Sequence, residues 1–228
     1  MIYIGLPLTL ALYLLTKKMY VFRRLPFINP VLIPCLVIIP LILYTDYTLQ
    51  DYMKGTAVLK YLLEPSIVAL AIPLYLQFKE IKKQAFSILF CCFLSTIISI
   101  TSAILICHFM GIDREIAYAL AARSITTPLA ISTTSDLGGI ASIAAAVVCL
   151  VGIAGSILGF PIMKKLKITD PKAQGLAIGS CSHAVGTSAA QEHGLTQGSY
   201  SSLALVLCGI ITSVIAPSYI SFLYRILL

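Results

Sequence analysis

The sequence predicts an all-α polytopic membrane protein with about six full transmembrane helices and two broken or re-entrant helical segments. Of its 228 residues, 59% are hydrophobic and only 11% are charged, whereas soluble domains carry about 25% charged residues. The apolar residues form long runs, and most basic residues stand in short clusters between those runs. No long soluble segment fits between the runs, so residues 1–228 are expected to form a single integral membrane domain.

Six apolar stretches are close to the roughly 20 residues that a spanning helix needs. They are residues 2–20, 28–45, 57–77, 85–110, 140–161 and 200–224. The first stretch precedes Lys17 and Lys18, whereas a cleavable signal carries its positive charges before the apolar run. We therefore expect residues 2–20 to be a span, with the N-terminus on the outer, periplasmic side of the bacterial inner membrane.

The net charge of +7 is interpreted as a sign of membrane sidedness, and it implies no nucleic-acid ligand. Eleven of the 16 basic residues fall in three clusters. The clusters are Lys17, Lys18, Arg23 and Arg24; Lys79, Lys82 and Lys83; and Lys164, Lys165, Lys167 and Lys172. Because cytoplasmic loops are enriched in lysine and arginine, we expect all three clusters on the inner side.

Residues 116–137 interrupt the alternation of spans. If they crossed the membrane, the cluster that begins at Lys164 would lie outside, against the charge rule. The segment is broken near its middle by Ser124, Thr126, Thr127 and Pro128, and proline removes a backbone donor and disfavours helix before it. The sequence therefore predicts a re-entrant hairpin that enters and leaves from the outer side.

A second polar interruption, residues 179–188, lies within the segment 171–192. The same reasoning predicts a hairpin from the inner side. Non-helical backbone at membrane depth survives only where protein buries it or where it lines a watery cavity. Two such tips near the midplane are typical of inverted-repeat secondary transporters, although no direct sequence repeat is evident. Packing kinks at proline and glycine are the alternative interpretation.

Arg123 stands immediately before the first interruption, within an apolar run. A charge inside the membrane is costly and marks a candidate functional site, and the arginine fork recognises carboxylates. The alternative is that Arg123 snorkels or pairs with a structural acid such as Glu64. Nearby, Ser124, Thr126 and Thr127 could bind a substrate or satisfy freed backbone groups.

The second interruption contributes three candidate substrate-binding residues, Ser182, His183 and Thr187. His183 could couple transport to protons because the unperturbed pKa of histidine lies near 6.5; a structural donor is the alternative. Glu64 precedes Pro65 and follows Lys60 by four residues, so a local ion pair or a place in the first turn of a helix is one interpretation. A place at the cavity, opposite Arg123, is the other.

The sequence carries no nucleophile–base arrangement, phosphate-binding loop, metal cluster or dinucleotide fingerprint. We therefore expect neither an enzyme nor a cofactor or metal. The seven cysteines lie in apolar segments without zinc-site spacing and are interpreted as packing residues. Cys181 is kept as an exception because its neighbours are polar.

Several motifs, in order along nearly the whole chain, resemble the LrgB/CidB family. The motifs are LEP at 63–65, AIPLY at 71–75, SITTPLA at 124–130, GLAIG at 175–179, SHAVGT at 182–187 and SLALV at 202–206. Within the family, the chain is most similar to YohK-type inner-membrane proteins of Gram-negative bacteria. The resemblance implies holin-like or antiholin-like control of murein hydrolases, beside a small LrgA/CidA-type membrane partner. It also implies kinship with the plastid glycolate/glycerate carrier and with bacterial relatives linked to pyruvate.

Three functions are compatible with these observations. A carrier for a small monocarboxylate of the glycolate, glycerate or pyruvate class agrees with Arg123 in a polar break, and it is the preferred hypothesis. A holin-like lesion former needs few spans and an amphipathic lining, whereas this chain concentrates its polarity in two internal breaks. A regulatory subunit would need a large exposed contact surface. A homo-oligomer is the default expectation for any of these.

Overall fold

The computed structural model describes residues 4–23, 30–69, 71–76 and 78–227, and these residues are almost entirely helical. The helices are α1 (Gly5–Arg23), α2 (Leu32–Tyr44), α3 (Leu49–Gly55), α4 (Ala57–Ala69), α5 (Ala71–Leu76), α6 (Phe78–Lys83), α7 (Ala85–Phe109), α8 (Arg114–Ala121), α9 (Thr127–Asp136), α10 (Ala141–Lys165), α11 (Pro171–His193) and α12 (Leu195–Leu227). No strand occurs within the described ranges. The predicted all-α class is confirmed.

The chain divides into two compact units, Met1–Ala71 and Ile72–Leu228. In the first unit, α3 packs on α1 through the hydroxyl group of Tyr52. The hydroxyl groups of Tyr52 and Thr9 are 3.0 Å apart, and the buried ring of Tyr47 meets that of Tyr52 edge-on. The Tyr52 side chain thus joins α3 to α1 and to Tyr47 in the loop before α3.

Three helices of the second unit, α7, α10 and α12, are long and apolar enough to cross a membrane. Helix α7 has 25 residues, which at about 1.5 Å per residue exceeds the roughly 30 Å of bilayer hydrocarbon. Phe86, Phe90 and Phe93 form an exposed stripe along it, and lipid would solvate such a stripe. The other predicted spans, 2–20, 28–45 and 57–77, coincide with helices outside this set, so the number of six spans stays a prediction.

The directions of the three long helices follow from their contacts. Helices α7 and α12 run side by side and parallel, since Cys208 contacts the Cys92 carbonyl and the hydroxyl of Tyr219 lies 2.8 Å from that of Thr101. Helix α10 runs the other way and ends beside the start of α12. These relative directions are those of the predicted spans 85–110, 140–161 and 200–224.

Candidate functional site at two opposed helical hairpins

The first predicted interruption is a helical hairpin, which we call the first hairpin (residues 114–140). Helix α8 ends at Ala121, a turn follows, and α9 begins at Thr127 with Pro128 in its first turn. The two ends of the segment lie together, because the Ile140 amide donates to the Glu115 carbonyl at 3.3 Å. The segment therefore begins and ends at the same place in the fold, which is compatible with the predicted re-entrant hairpin.

The second interruption is sharper, and we call it the second hairpin (residues 171–194). His183 has φ 39° and ψ −138°, which no helix accommodates. A continuous helix would separate Ile178 from Ala190 by about 18 Å, yet both belong to one buried cluster with Met163. The chain thus turns back at His183, between a first limb (171–182) and a second limb (184–193).

Glycine permits the close approach of this hairpin to α12. A Cβ on Gly179 would overlap the backbone of Ser201, carbonyl oxygen included. The α10 glycines Gly155 and Gly159 likewise face Ser182 and Ile178 of the first limb. Small residues at such contacts are what lets membrane helices pack backbone to backbone.

The two hairpins approach α12 from its opposite ends. The Tyr118 ring of the first hairpin lies 6.0 Å from Tyr224, near the C-terminal end of α12. At the N-terminal end, Gln197 donates from its side-chain amide to that of Gln174 in the second hairpin, at 3.4 Å. The bases of the hairpins are therefore separated by nearly the whole length of α12, about 40 Å for 27 residues.

The tips of the two hairpins, residues 122–126 of the first and His183 of the second, both lie against α10. The Val148 side chain packs with Ala122 and Ile125 of the first tip. Its carbonyl lies 2.6 Å from His183 Nε2 of the second tip, so the imidazole carries its proton on Nε2 and donates it there. One residue of α10 thus touches both breaks, and the position of the two tips near the membrane midplane stays a prediction.

Arg123 occupies the first tip and is held from two sides. Its guanidinium donates to the Ser102 hydroxyl of α7 at 3.0 Å and to the Leu120 carbonyl at 3.3 Å. The side chain is half-buried, and no carboxylate of the described residues pairs with it. A guanidinium has five N–H donors, so several remain for an anion.

The hydroxyl residues of the first tip differ in their surroundings. Ser124 lies 2.7 Å from Ser99 of α7, oxygen to oxygen, which ties the turn to that helix. Thr126 is the N-cap residue of α9 but makes no side-chain cap bond. Thr126 and Thr127 are both half-buried at the N-terminus of α9. The backbone N–H groups of a helix N-terminus favour an anion.

In the second hairpin, the structure buries the three candidates. Ser182 packs against Gly155 of α10, and His183 is 3% exposed and bonded to Val148. Thr187 is 1% exposed, with its hydroxyl 2.8 Å from that of Ser201. These contacts join the hairpin to α10 and α12, and they give His183 and Thr187 protein partners in this conformation.

Replacing Thr187 with valine is expected to lower stability and to leave substrate affinity unchanged. Valine keeps the volume but leaves the buried Ser201 hydroxyl without its partner, at a cost of about 1 kcal/mol. Thermal unfolding in detergent of Thr187→Val, Ser201→Ala and the double variant measures the coupling. Strictly additive effects would show that the two hydroxyls do not interact.

His183→Ala is expected to destabilise the second tip, whereas His183→Gln is expected to retain most of the stability. Glutamine can still donate to the Val148 carbonyl, and a lost bond of this kind costs about 0.5–1.5 kcal/mol. The pH profile of uptake distinguishes this structural role from proton coupling. An unchanged profile in His183→Gln supports the structural role, and a flattened one assigns the coupling proton to His183.

Two other sequence predictions bear on the site. Glu64 falls in α4, but its side chain lies outside the described residues, so its pairing with Lys60 or with Arg123 stays a prediction. Within the described ranges, no group of three or more His, Cys, Asp or Glu residues could hold a metal ion.

Ser99 and Ser102 of α7, with Val148 of α10, are the site residues that the sequence did not single out. Five of the eight residues 95–102 are serine or threonine, inside an otherwise apolar span, and that enrichment was the available signal. Val148 gave no signal, because its contribution is a carbonyl group and a packing surface.

The fold and this arrangement define a helical membrane protein with two helical hairpins that approach α12 from opposite ends and both contact α10. The LrgB-like family matches residues 9–222, and the chain belongs to that family. The predicted LrgB/CidB resemblance is thereby confirmed. No solved structure matches the chain.

Relatives are similar over most of their length. A Haemophilus influenzae protein is 38% identical over 86% of this chain and 85% of its own. YxaC of Bacillus subtilis is 37% identical over 92% of this chain and 91% of its own. A Staphylococcus aureus relative named holin-like protein CidB is 32% identical over 95% of both chains.

Proposed function

We propose that this protein is a carrier for a small monocarboxylate of the glycolate, glycerate or pyruvate class, with its substrate site at the hairpin tips. The observation that carries the proposal is Arg123, a half-buried guanidinium in a helix break with no carboxylate partner among the described residues. An uncompensated cation at that depth is expensive. A carboxylate substrate would neutralise it.

The surroundings of Arg123 suit a monocarboxylate. Ser102 and Leu120 orient the guanidinium, leaving donors for the two oxygens of one carboxylate. Thr126 and Thr127 stand at the N-terminus of α9, which adds a positive partial charge. A hydroxyl or keto group next to the carboxylate would find hydroxyl partners here.

The membrane arrangement is part of the proposal. Six spans place the N-terminus outside, with the first hairpin entering from the periplasm and the second from the cytoplasm of a bacterial inner membrane. Opposed hairpins whose tips meet near the midplane are a transporter arrangement. One hairpin could then open while the other stays closed, which gives alternating access. We expect the carrier to work as a homo-oligomer.

A second candidate function is holin-like or antiholin-like control of murein hydrolases, together with a small LrgA/CidA-type membrane partner. The name of the CidB relatives, holin-like protein, favours this function. It predicts oligomeric lesions of little selectivity, whereas the carrier predicts saturable flux.

Uptake into proteoliposomes that hold the purified protein alone tests the proposal. Radiolabelled glycolate, glycerate, pyruvate and lactate are offered separately, beside an uncharged trapped dye. Saturable uptake of one or two acids without dye leakage is the expected result. Leakage of all four acids and of the dye would favour the holin-like function. Absence of flux, also after the partner is added, would exclude the carrier.

A further inference from the structure

An apolar cavity of about 270 Å³, which we call the α7–α11 groove, lies between α7 and the first limb of the second hairpin. Its lining residues are Cys91, Cys92, Ala173, Leu176, Ala177 and Ser180. Ala173 and Ser180 are seven residues apart on the limb, so the groove follows the helix for about 10 Å. Ala173, Ala177 and Cys91 are exposed, which leaves one side of the groove open to the surrounding lipid.

One end of the groove, its mouth, lies where α6 passes into α7. Cys208 of α12 contacts the Cys92 carbonyl of the parallel helix α7 at 3.7 Å. Counting back eight residues along both helices puts Tyr200 level with the start of α7. Lys172 stands at this level, because its Nζ lies 5.8 Å from the centre of the Tyr200 ring. Since Lys172 directly precedes Ala173, the groove begins beside it.

Helix α6 brings further positive charge to the mouth. Its Ile81 packs, together with Leu176 of the groove, against the buried cluster that contains Tyr200. The exposed lysines of this short helix are Lys79, Lys82 and Lys83. Lysines from two different helices therefore gather at the mouth of the groove.

The two acids beside these lysines leave the mouth positive. Glu80 accepts a hydrogen bond from Lys83 at 2.8 Å, which lowers the pKa of that carboxyl, and Lys172 adds to the effect. Asp170 is the N-cap of α11, and its carboxylate accepts from backbone amides of the first turn. Neither Lys82 nor Lys172 forms a salt bridge with a carboxylate of the described residues. Both ammonium groups are therefore available to an anion.

We propose that the α7–α11 groove binds an anionic phospholipid, with an acyl chain along its alanine face and the headgroup phosphate at Lys172 and the lysines of α6. Basic pockets between membrane helices bind such headgroups, and a half-buried lysine keeps its stem on apolar surface and its ammonium in the headgroup region. A free phosphate or carboxylate would use the lysines alone, whereas a lipid also fills the apolar passage. The inference goes beyond the carrier function and does not depend on it.

Native mass spectrometry of the full-length protein in detergent tests this lipid site. Phosphatidylglycerol and phosphatidylethanolamine with identical acyl chains are added separately, and glycerol phosphate represents the headgroup without chains. A lysine near an anionic membrane surface contributes about fivefold in affinity. We therefore expect phosphatidylglycerol to bind at least about fivefold more tightly than phosphatidylethanolamine, and glycerol phosphate not to displace it.

Variants separate the two parts of the site. Lys172→Gln should weaken phosphatidylglycerol binding about fivefold, whereas Lys164→Gln is the matched control, because Lys164 is exposed at the end of α10, outside the groove. Ala173→Phe fills the groove and should lower the retention of phosphatidylglycerol, and Cys91→Phe serves if that variant does not fold. Leu89→Phe, exposed on α7 outside the groove, is the control for both.

Four results would overturn the lipid site. Equal binding of the two lipids would mean that lipid only coats the surface. Displacement by glycerol phosphate would assign the lysines to a free anion. Equal losses in Lys172→Gln and Lys164→Gln would indicate a diffuse effect of surface charge. Unchanged retention in a folded Ala173→Phe or Cys91→Phe variant would place the acyl chain outside the groove.

Discussion

Arg123→Ala is expected to raise the KM for uptake of the transported acid by about 30-fold or more. Removing one partner of a buried, hydrogen-bonded charge pair costs about 2–5 kcal/mol, which corresponds to a loss of affinity of about 30- to 4,000-fold. Arg123→Lys keeps the charge but loses the fork that matches a carboxylate, so we expect an intermediate loss. The measurement is KM for the transported acid in proteoliposomes, with protein amount and orientation matched.

Arg114 provides the matched control for this prediction. It is the other arginine of the first hairpin, exposed at the base, where it lies over the Tyr224 ring at 4.8 Å. Arg114→Ala should leave KM within about twofold, since exposed pairs contribute little. An equal increase of KM in both variants would indicate a general effect of the lost positive charge. An unchanged KM in Arg123→Ala would show that Arg123 is not part of the substrate site.

Gly179→Ala is expected to cause the largest loss of stability among single-methyl changes in the second hairpin. The added Cβ meets the backbone of Ser201, which cannot move aside without displacing α12. Overpacking of this kind costs about 1–3 kcal/mol and occasionally more. Thermal unfolding of the purified protein in detergent measures the change.

Gly159→Ala is the control for that prediction. Its Cβ would meet only the Cδ1 end of the Ile178 side chain, and a flexible side-chain end can rotate away. We expect a clearly smaller loss of stability there. The opposite order of the two variants would mean that the hairpin and α12 are not packed as closely as the structure has them.

The all-α class and the places of both breaks could be predicted from the sequence, because the signals are local. Pro128 with its hydroxyl neighbours ends the helix of the first hairpin, and the polar run around His183 marks the second. The enrichment of lysine and arginine in cytoplasmic loops indicated that the segment around the first break does not cross the membrane. That segment was therefore predicted to be a hairpin. These features depend on residues within one or two turns of each other.

The partners of the tip residues could not be predicted, because they come from distant helices. Ser102 on α7, which accepts a hydrogen bond from Arg123, lies 21 residues before it in the sequence. Val148, which contacts His183, lies 35 residues before it. A single sequence does not specify which helix faces which break. The burial of Thr187 against Ser201 likewise follows from the docking of the second hairpin on α12.

The sidedness of the hairpin bases tests the central claim most directly. Single cysteines at Asp113, Asp136, Lys165 and Glu192, all exposed, are introduced into a variant lacking the natural cysteines. An impermeant maleimide is then added to right-side-out or inverted vesicles. We predict that Asp113→Cys and Asp136→Cys react from the outer face, and Lys165→Cys and Glu192→Cys from the inner face. Reaction of Asp113→Cys and Asp136→Cys from different faces would contradict the account, because residues 114–140 would then cross the membrane.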